Sequence, residues 1–167
     1  MGSVELTEGK ESSESREEET TILIFTEGTI LGPKRWIEYF FDTKYIPIKN
    51  CVNKIRNWEK QGANISYLTS RTKKKDVEKI RGILIANNFP GKYLYFREGK
   101  QRYCDIAEKI LPMVLIEDDC RSIGGKWQMT ITYVRKEIRE KIKSIVVKEF
   151  GGIDHLPDNL DGLKNIG

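Results

Sequence analysis

The sequence predicts an α/β sandwich, a mainly parallel sheet with helices on both faces. Short apolar runs, the mark of strands covered on both sides, alternate with segments whose apolar residues recur at helical spacing. The 167 residues suit one domain and can bury a core without disulfide staples. Four of the apolar runs break into polar clusters, and in parallel sheets the carboxyl ends of strands are where ligands bind.

The first run is ILIF at 22–25. Gly28, Gly32 and Pro33 then punctuate a loop, and Trp36, Ile37, Tyr39, Phe40 and Phe41 supply a short aromatic helix or cover before Pro47. In NCVNKIRNWEK, 50–60, Val52, Ile55 and Trp58 or Glu59 fall at helical spacing, with Asn50 to cap and Gly62 to stop the helix. ISYL at 65–68 is the second strand and TSRTKKK a polar turn. DVEKIRGILIAN, 76–87, puts Val77, Ile80, Ile83 and Leu84 on one helical face. YLYF at 93–96 is the third strand, REGK a turn, and 101–110 a helix with Ile106 and Ile110 four apart. MVLI at 113–116 is the fourth strand and ends in EDD. MTITYV at 129–134 alternates and reads as a fifth, followed by a charged helix at roughly 135–143, a short strand at 145–147 and a loop-like tail.

Residues 1–20 stand apart. Seven Glu against Lys10 and Arg16 give this stretch a net charge of −5, and it carries too few apolar groups to offset the entropy of ordering. The expectation is a disordered acidic tail over 1–20 and a single folded domain over 21–167. The start has no apolar core of a secretory signal, and no apolar stretch approaches the length that spans a bilayer. Cys51, Cys104 and Cys120 are scattered and odd in number, which fits reduced thiols in a cytoplasmic protein better than a disulfide frame.

With the tail set aside, the remainder of the +4 chain carries +9. A basic body attracts anions, nucleic acid among them, but lysines on a solvated surface give the same composition, and no nucleic-acid motif is present. His155 and the lysines at 73–75 read as surface residues.

The strand-end clusters are TEGT (26–29), TSR (69–71), REGK (97–100) and EDD (117–119). Hydroxyls and backbone N–H groups there suit phosphate oxygens, lysine offsets their charge, and carboxylates suit a hard divalent cation. Glu117, Asp118 and Asp119 at the end of one buried strand repel each other unless something cationic compensates. Each cluster also has a plainer reading: a glycine turn, a helix cap at Thr69, a surface lysine.

In order and spacing the four clusters resemble the haloacid dehalogenase-like (HAD) superfamily, whose Rossmann-like sheet carries four strand-end motifs. FTEGT at 25–29 is similar to its first motif, D-x-D-G-T. ISYLTSR matches the second with Thr69, Lys100 the third, and VLIEDD the fourth. The resemblance covers roughly 21–150 and implies a magnesium-dependent phosphatase fold with a minimal cap, between 30 and 48, or none. It implies Glu27 at the general-acid position, Lys100 as the catalytic lysine, Gly28, Thr29, Thr69, Ser70 and Arg71 around the substrate phosphate, and Asp118, Glu117 and Asp119 at Mg2+.

The departure lies in the first motif. Anchored on Gly28 and Thr29, the nucleophile position holds Phe25; with one residue deleted from the loop it holds Thr26. Phenylalanine cannot attack phosphorus, and a threonine hydroxyl needs a base. The leading expectation is a HAD-like protein that binds phosphate or a phosphorylated small molecule, with a cation, and lacks ordinary phosphatase activity. The rivals are an active magnesium-dependent phosphatase using Thr26, Glu27 or a metal-bound water at Asp118, and a nucleic-acid-binding module. No membrane partner is expected, and the sequence leaves oligomeric state open.

Overall fold

The computed structural model describes residues 1–6, 20–34 and 44–166. The strands are β1 (Gly2–Glu5), β2 (Thr21–Phe25), β3 (Leu31–Pro33), β4 (Tyr45–Pro47), β5 (Asn64–Leu68), β6 (Tyr93–Phe96), β7 (Val114–Asp118) and β8 (Lys143–Val147). The helices are α1 (Cys51–Lys60), α2 (Lys74–Ala86), α3 (Tyr103–Ile110), α4 (Lys136–Arg139) and α5 (Leu160–Asn165). Six strands form one sheet in the order β1-β6-β5-β2-β7-β8, and all neighbours are parallel except β1 against β6.

Side-chain alternation along the strands builds the layers. Ile22 and Ile24 face a core shared with Ile55 and Trp58 of α1, Val77, Ile80 and Leu84 of α2, and Leu163 of α5. Leu23, one residue out of phase, faces the opposite core with Leu68, Leu115, and Ile106 and Ala107 of α3. Ile22, Leu23 and Ile24 are wholly buried, and each contributes roughly 1.5–3 kcal/mol by leaving water. The result is a Rossmann-like three-layer α/β sandwich. Among the described residues no helix is long and apolar enough to cross a membrane.

From β2 the chain steps outward to β5 and β6, then returns to the other side of β2 to lay down β7 and β8. The direction of winding therefore reverses between β2 and β7, and a crevice opens at their carboxyl ends. β3 and β4 form a separate antiparallel ladder within the span expected to hold a minimal cap. The aromatic segment Trp36, Tyr39 and Phe40 lies outside the described residues.

α1 stops as expected, with Gly62 at φ +95° just beyond it. Asn50 occupies the N-cap position but makes no side-chain cap hydrogen bond; its backbone N–H donates instead to Asp154. α1 also carries a strap from the residues before α5. Lys54 Nζ donates to the Leu156 carbonyl at 2.8 Å, Trp58 Nε1 to Pro157 at 2.9 Å and Asn57 Nδ2 to Asp158 at 3.0 Å. The tail read as a loop thus ends in α5 and clasps α1.

Three further readings are corrected. Residues 1–6, placed in the disordered tail, are part of the fold. β1 pairs with β6 in the register Gly2↔Phe96 to Glu5↔Tyr93, Leu6 is buried, and Arg81 Nε donates to the Glu5 carbonyl at 2.6 Å. Residues 7–19 of that tail lie outside the described residues. The strand expected at 129–134 does not form; the segment makes the 3-10 turn Ile131–Tyr133, just after another at Gly125–Gln128. Its amides are diverted from any ladder, since Thr130 and Ile131 donate theirs to the Glu117 carboxylate at 2.6 and 3.0 Å. The helix at 135–143 shrinks to α4, because the chain must enter β8 at Lys143.

Candidate functional site

β2 ends in a tight turn. Ile30 and Leu31 donate their N–H groups back to the Thr26 carbonyl, and Gly28 donates to the Leu31 carbonyl at 2.9 Å. Gly28 has φ +85°, and a Cβ there would lie 2.6 Å from Asp118 Oδ1. Glycine is therefore required twice over, by conformation and by the approach of the β7 end. Thr29 then donates its hydroxyl to Asp118 Oδ1 at 3.2 Å, tying the two strand ends together.

The turn aims Glu27 at the end of β5. Its carboxylate accepts from the hydroxyls of Thr69 at 2.9 Å and Ser70 at 2.7 Å, the Ser70 N–H at 3.2 Å, Arg71 Nε at 3.1 Å, and the Thr26 hydroxyl. These are the donors expected to receive a substrate phosphate. In the structure they meet a resident anion, the Glu27 carboxylate, while Ser70 and Arg71 also line the neighbouring cavity. Arg71 also donates from Nη2 to the Tyr45 hydroxyl at 2.7 Å, which anchors the β3–β4 ladder beside the site. Burial opposes the Arg71 charge, but Tyr45 and Glu27 outweigh it and hold the guanidinium above its ordinary range.

A cavity of about 480 Å³ opens beside this cradle. Glu27, Gly28, Ser70, Arg71 and Asp118 line it, so the ends of β2, β5 and β7 do converge on one space. Phe25 lines it too, and its ring meets Tyr103 edge-on at 5.1 Å between centroids. Tyr103 in turn carries the Arg97 guanidinium 4.1 Å from its ring centre. Phe25 at the nucleophile position is thus a wall that supports Tyr103, and through it Arg97. Thr26, the other claimant, is completely buried, its hydroxyl between Glu27 and the Leu68 carbonyl at 3.2 Å; it does not line the cavity.

The three acids after β7 separate. Glu117 turns to the Thr130 and Ile131 amides. Asp119 accepts from the Glu149 N–H at 3.1 Å. Asp118 alone faces the cavity, accepting from the Cys120 N–H at 2.9 Å and from Thr29. Burial raises the Asp118 and Glu117 carboxyls above their usual values against the pull of those hydrogen bonds. Among the described residues no group of three His, Cys, Asp or Glu could together hold a metal ion. Of the three acids that the resemblance assigns to Mg2+, Asp118 alone lines the cavity.

Lys100 is exposed and does not line the cavity. The cation from that strand end is Arg97, the first residue of the same REGK cluster. Its Nε is buried without a hydrogen-bond partner, and among the described residues no carboxylate pairs with it. Sequence reasoning passed over Arg97, Tyr103, Tyr45, Cys120 and Gln128, all of which line the cavity. For Arg97 the signal was its place directly after β6; for the others there was none. Burial, then Asp118 and other acids, push the Cys120 thiol up to about 12, which disfavours the reactive thiolate.

Compared with protein-family models, with curated proteins and with solved structures, the chain has no match.

Proposed function

We propose that the protein binds a phosphorylated small molecule in the cavity at the β2–β7 crevice and does not hydrolyse it, as a HAD-like domain that has given up its nucleophile. The observation that carries this reading is the state of the two nucleophile positions. Phe25 presents a ring to the cavity, and Thr26 is buried with its hydroxyl engaged. The placement at a topological switch point supports ligand binding, and Arg97 supports an anionic ligand.

The test is turnover of an aryl phosphate with and without Mg2+, on the wild type, Asp118→Asn and Phe25→Asp, beside calorimetric titration with inorganic phosphate. The expected outcome is phosphate binding without turnover in the wild type. Magnesium-dependent turnover lost in Asp118→Asn would establish an active phosphatase instead. Phe25→Asp is expected to stay inactive, because restoring one acid leaves Glu117 and Asp119 turned away and Glu27 held by five donor groups.

A further inference from the structure

A second, smaller hollow of about 140 Å³ adjoins the cavity and shares Arg97, Tyr103 and Gln128 with it. Trp127 and Tyr133 line its outer side. Both are conspicuously open to solvent, Trp127 at 61% and Tyr133 at 47%, although most large apolar side chains of this chain are buried. Lys126 lies 5.1 Å from the Trp127 ring centre, and Arg102 lines the same hollow. Neither aromatic is needed for the core: the two sheet faces are filled without them.

An aromatic face ringed by cations and continuous with a guanidinium whose buried Nε lacks a hydrogen-bond partner has a definite chemical complement. It is an anion joined to a planar ring. The anion meets Arg97, which has a free Nε and is stacked on Tyr103. The ring lies on Trp127, where stacking is tolerant of base identity and the nearby lysine adds charge attraction. We infer that the ligand is a nucleotide, with its phosphate at Arg97 and its base against Trp127, the inference resting on the anion-binding reading above. A free mononucleotide and the phosphorylated end of a single strand present the same chemistry to this surface.

The experiment is calorimetric titration of wild type, Trp127→Ala and Arg97→Met with four probes: inorganic phosphate, adenosine, adenosine monophosphate and a 5′-phosphorylated oligodeoxyadenylate. Adenosine monophosphate is expected to bind about tenfold or more tightly than phosphate or adenosine. Trp127→Ala removes that advantage and leaves phosphate binding unchanged; Arg97→Met loses both. Equal affinity for adenosine monophosphate and phosphate, or an advantage that survives Trp127→Ala, overturns the nucleotide inference while the anion site stands. Failure of phosphate to bind at all removes the anion site itself. A strand that binds more tightly than the mononucleotide, with a steep salt dependence, identifies a strand end as the ligand; equal binding identifies the free nucleotide.

Discussion

Glu27 and Arg97 line the same cavity and are opposites in how fully they are satisfied. Glu27 has five donor groups around its carboxylate, drawn from Thr26 and from three consecutive residues after β5. Arg97 has an aromatic platform beneath it and a buried Nε with no acceptor. A buried polar group with every partner supplied by the fold contributes to the fold; one left short of partners is incomplete until something binds. Residue type alone would assign both to ligand binding. Hydrogen-bond inventory divides them: the fold supplies the partners of Glu27 and leaves Arg97 Nε without one.

The sharpest way to break this contrast is to remove the resident anion. Glu27→Ala strips Thr69, Ser70 and Arg71 of their shared acceptor and leaves the Arg71 charge in a half-buried site. Urea unfolding should show a loss of about 1–3 kcal/mol, the cost of leaving partly buried donors without their acceptor. A loss below about 1 kcal/mol would mean that the cradle is slack and that its donors are available to a ligand after all.

A finer test uses acidity. Burial raises Asp118 above its ordinary 3.8. Between that value and the raised one the folded protein keeps a proton that the unfolded chain has lost, so stability falls as pH rises through the window. Asp118→Asn removes the titration; its amide oxygen can still accept from the Cys120 N–H, and its amide nitrogen can donate to the Thr29 hydroxyl oxygen, reversing that bond. In urea unfolding from pH 4 to pH 7 the variant should gain on the wild type as pH rises. A difference independent of pH would show that Asp118 is not strained by burial. The smallest effect is expected at Lys100→Ala, within about 0.5 kcal/mol of wild type in stability and without effect on phosphate affinity, because Lys100 is exposed. A loss of phosphate binding there would return the cationic role to the lysine.

The layers were legible in the sequence because apolar runs such as ILIF and VLI have no other use in a chain of this size. The convergence of TEGT, TSR and Asp118 was legible too, through the rule that ligands meet the carboxyl ends of parallel strands. What each polar residue would do there was not. Which donor meets which acceptor depends on turn geometry, and a one-residue difference in where a loop turns sends Glu117, Asp118 and Asp119 to three different partners. Arg97 and Lys100 lie three apart in one turn, and the choice between them rests on Tyr103, a platform at the start of the next helix. The N-terminal strand was hidden by averaging: six residues with Val4 and Leu6 alternating were pooled with the acidic run behind them. At 129–134 a clean period-2 pattern lost to a buried carboxylate that claimed its amides.

The clasp between the chain's end and α1 has a consequence for biosynthesis. Its partners are separated by about a hundred positions: 102 from Lys54 to Leu156 and 99 from Trp58 to Pro157. When α1 leaves the ribosome, the strap that will satisfy Trp58 Nε1 has yet to be translated. For several seconds at ordinary elongation rates of roughly 5–20 residues per second, this helix carries an indole that nothing yet secures. Until the strap is made, α1 is held by its packing on the sheet, and the indole N–H waits for the Pro157 carbonyl.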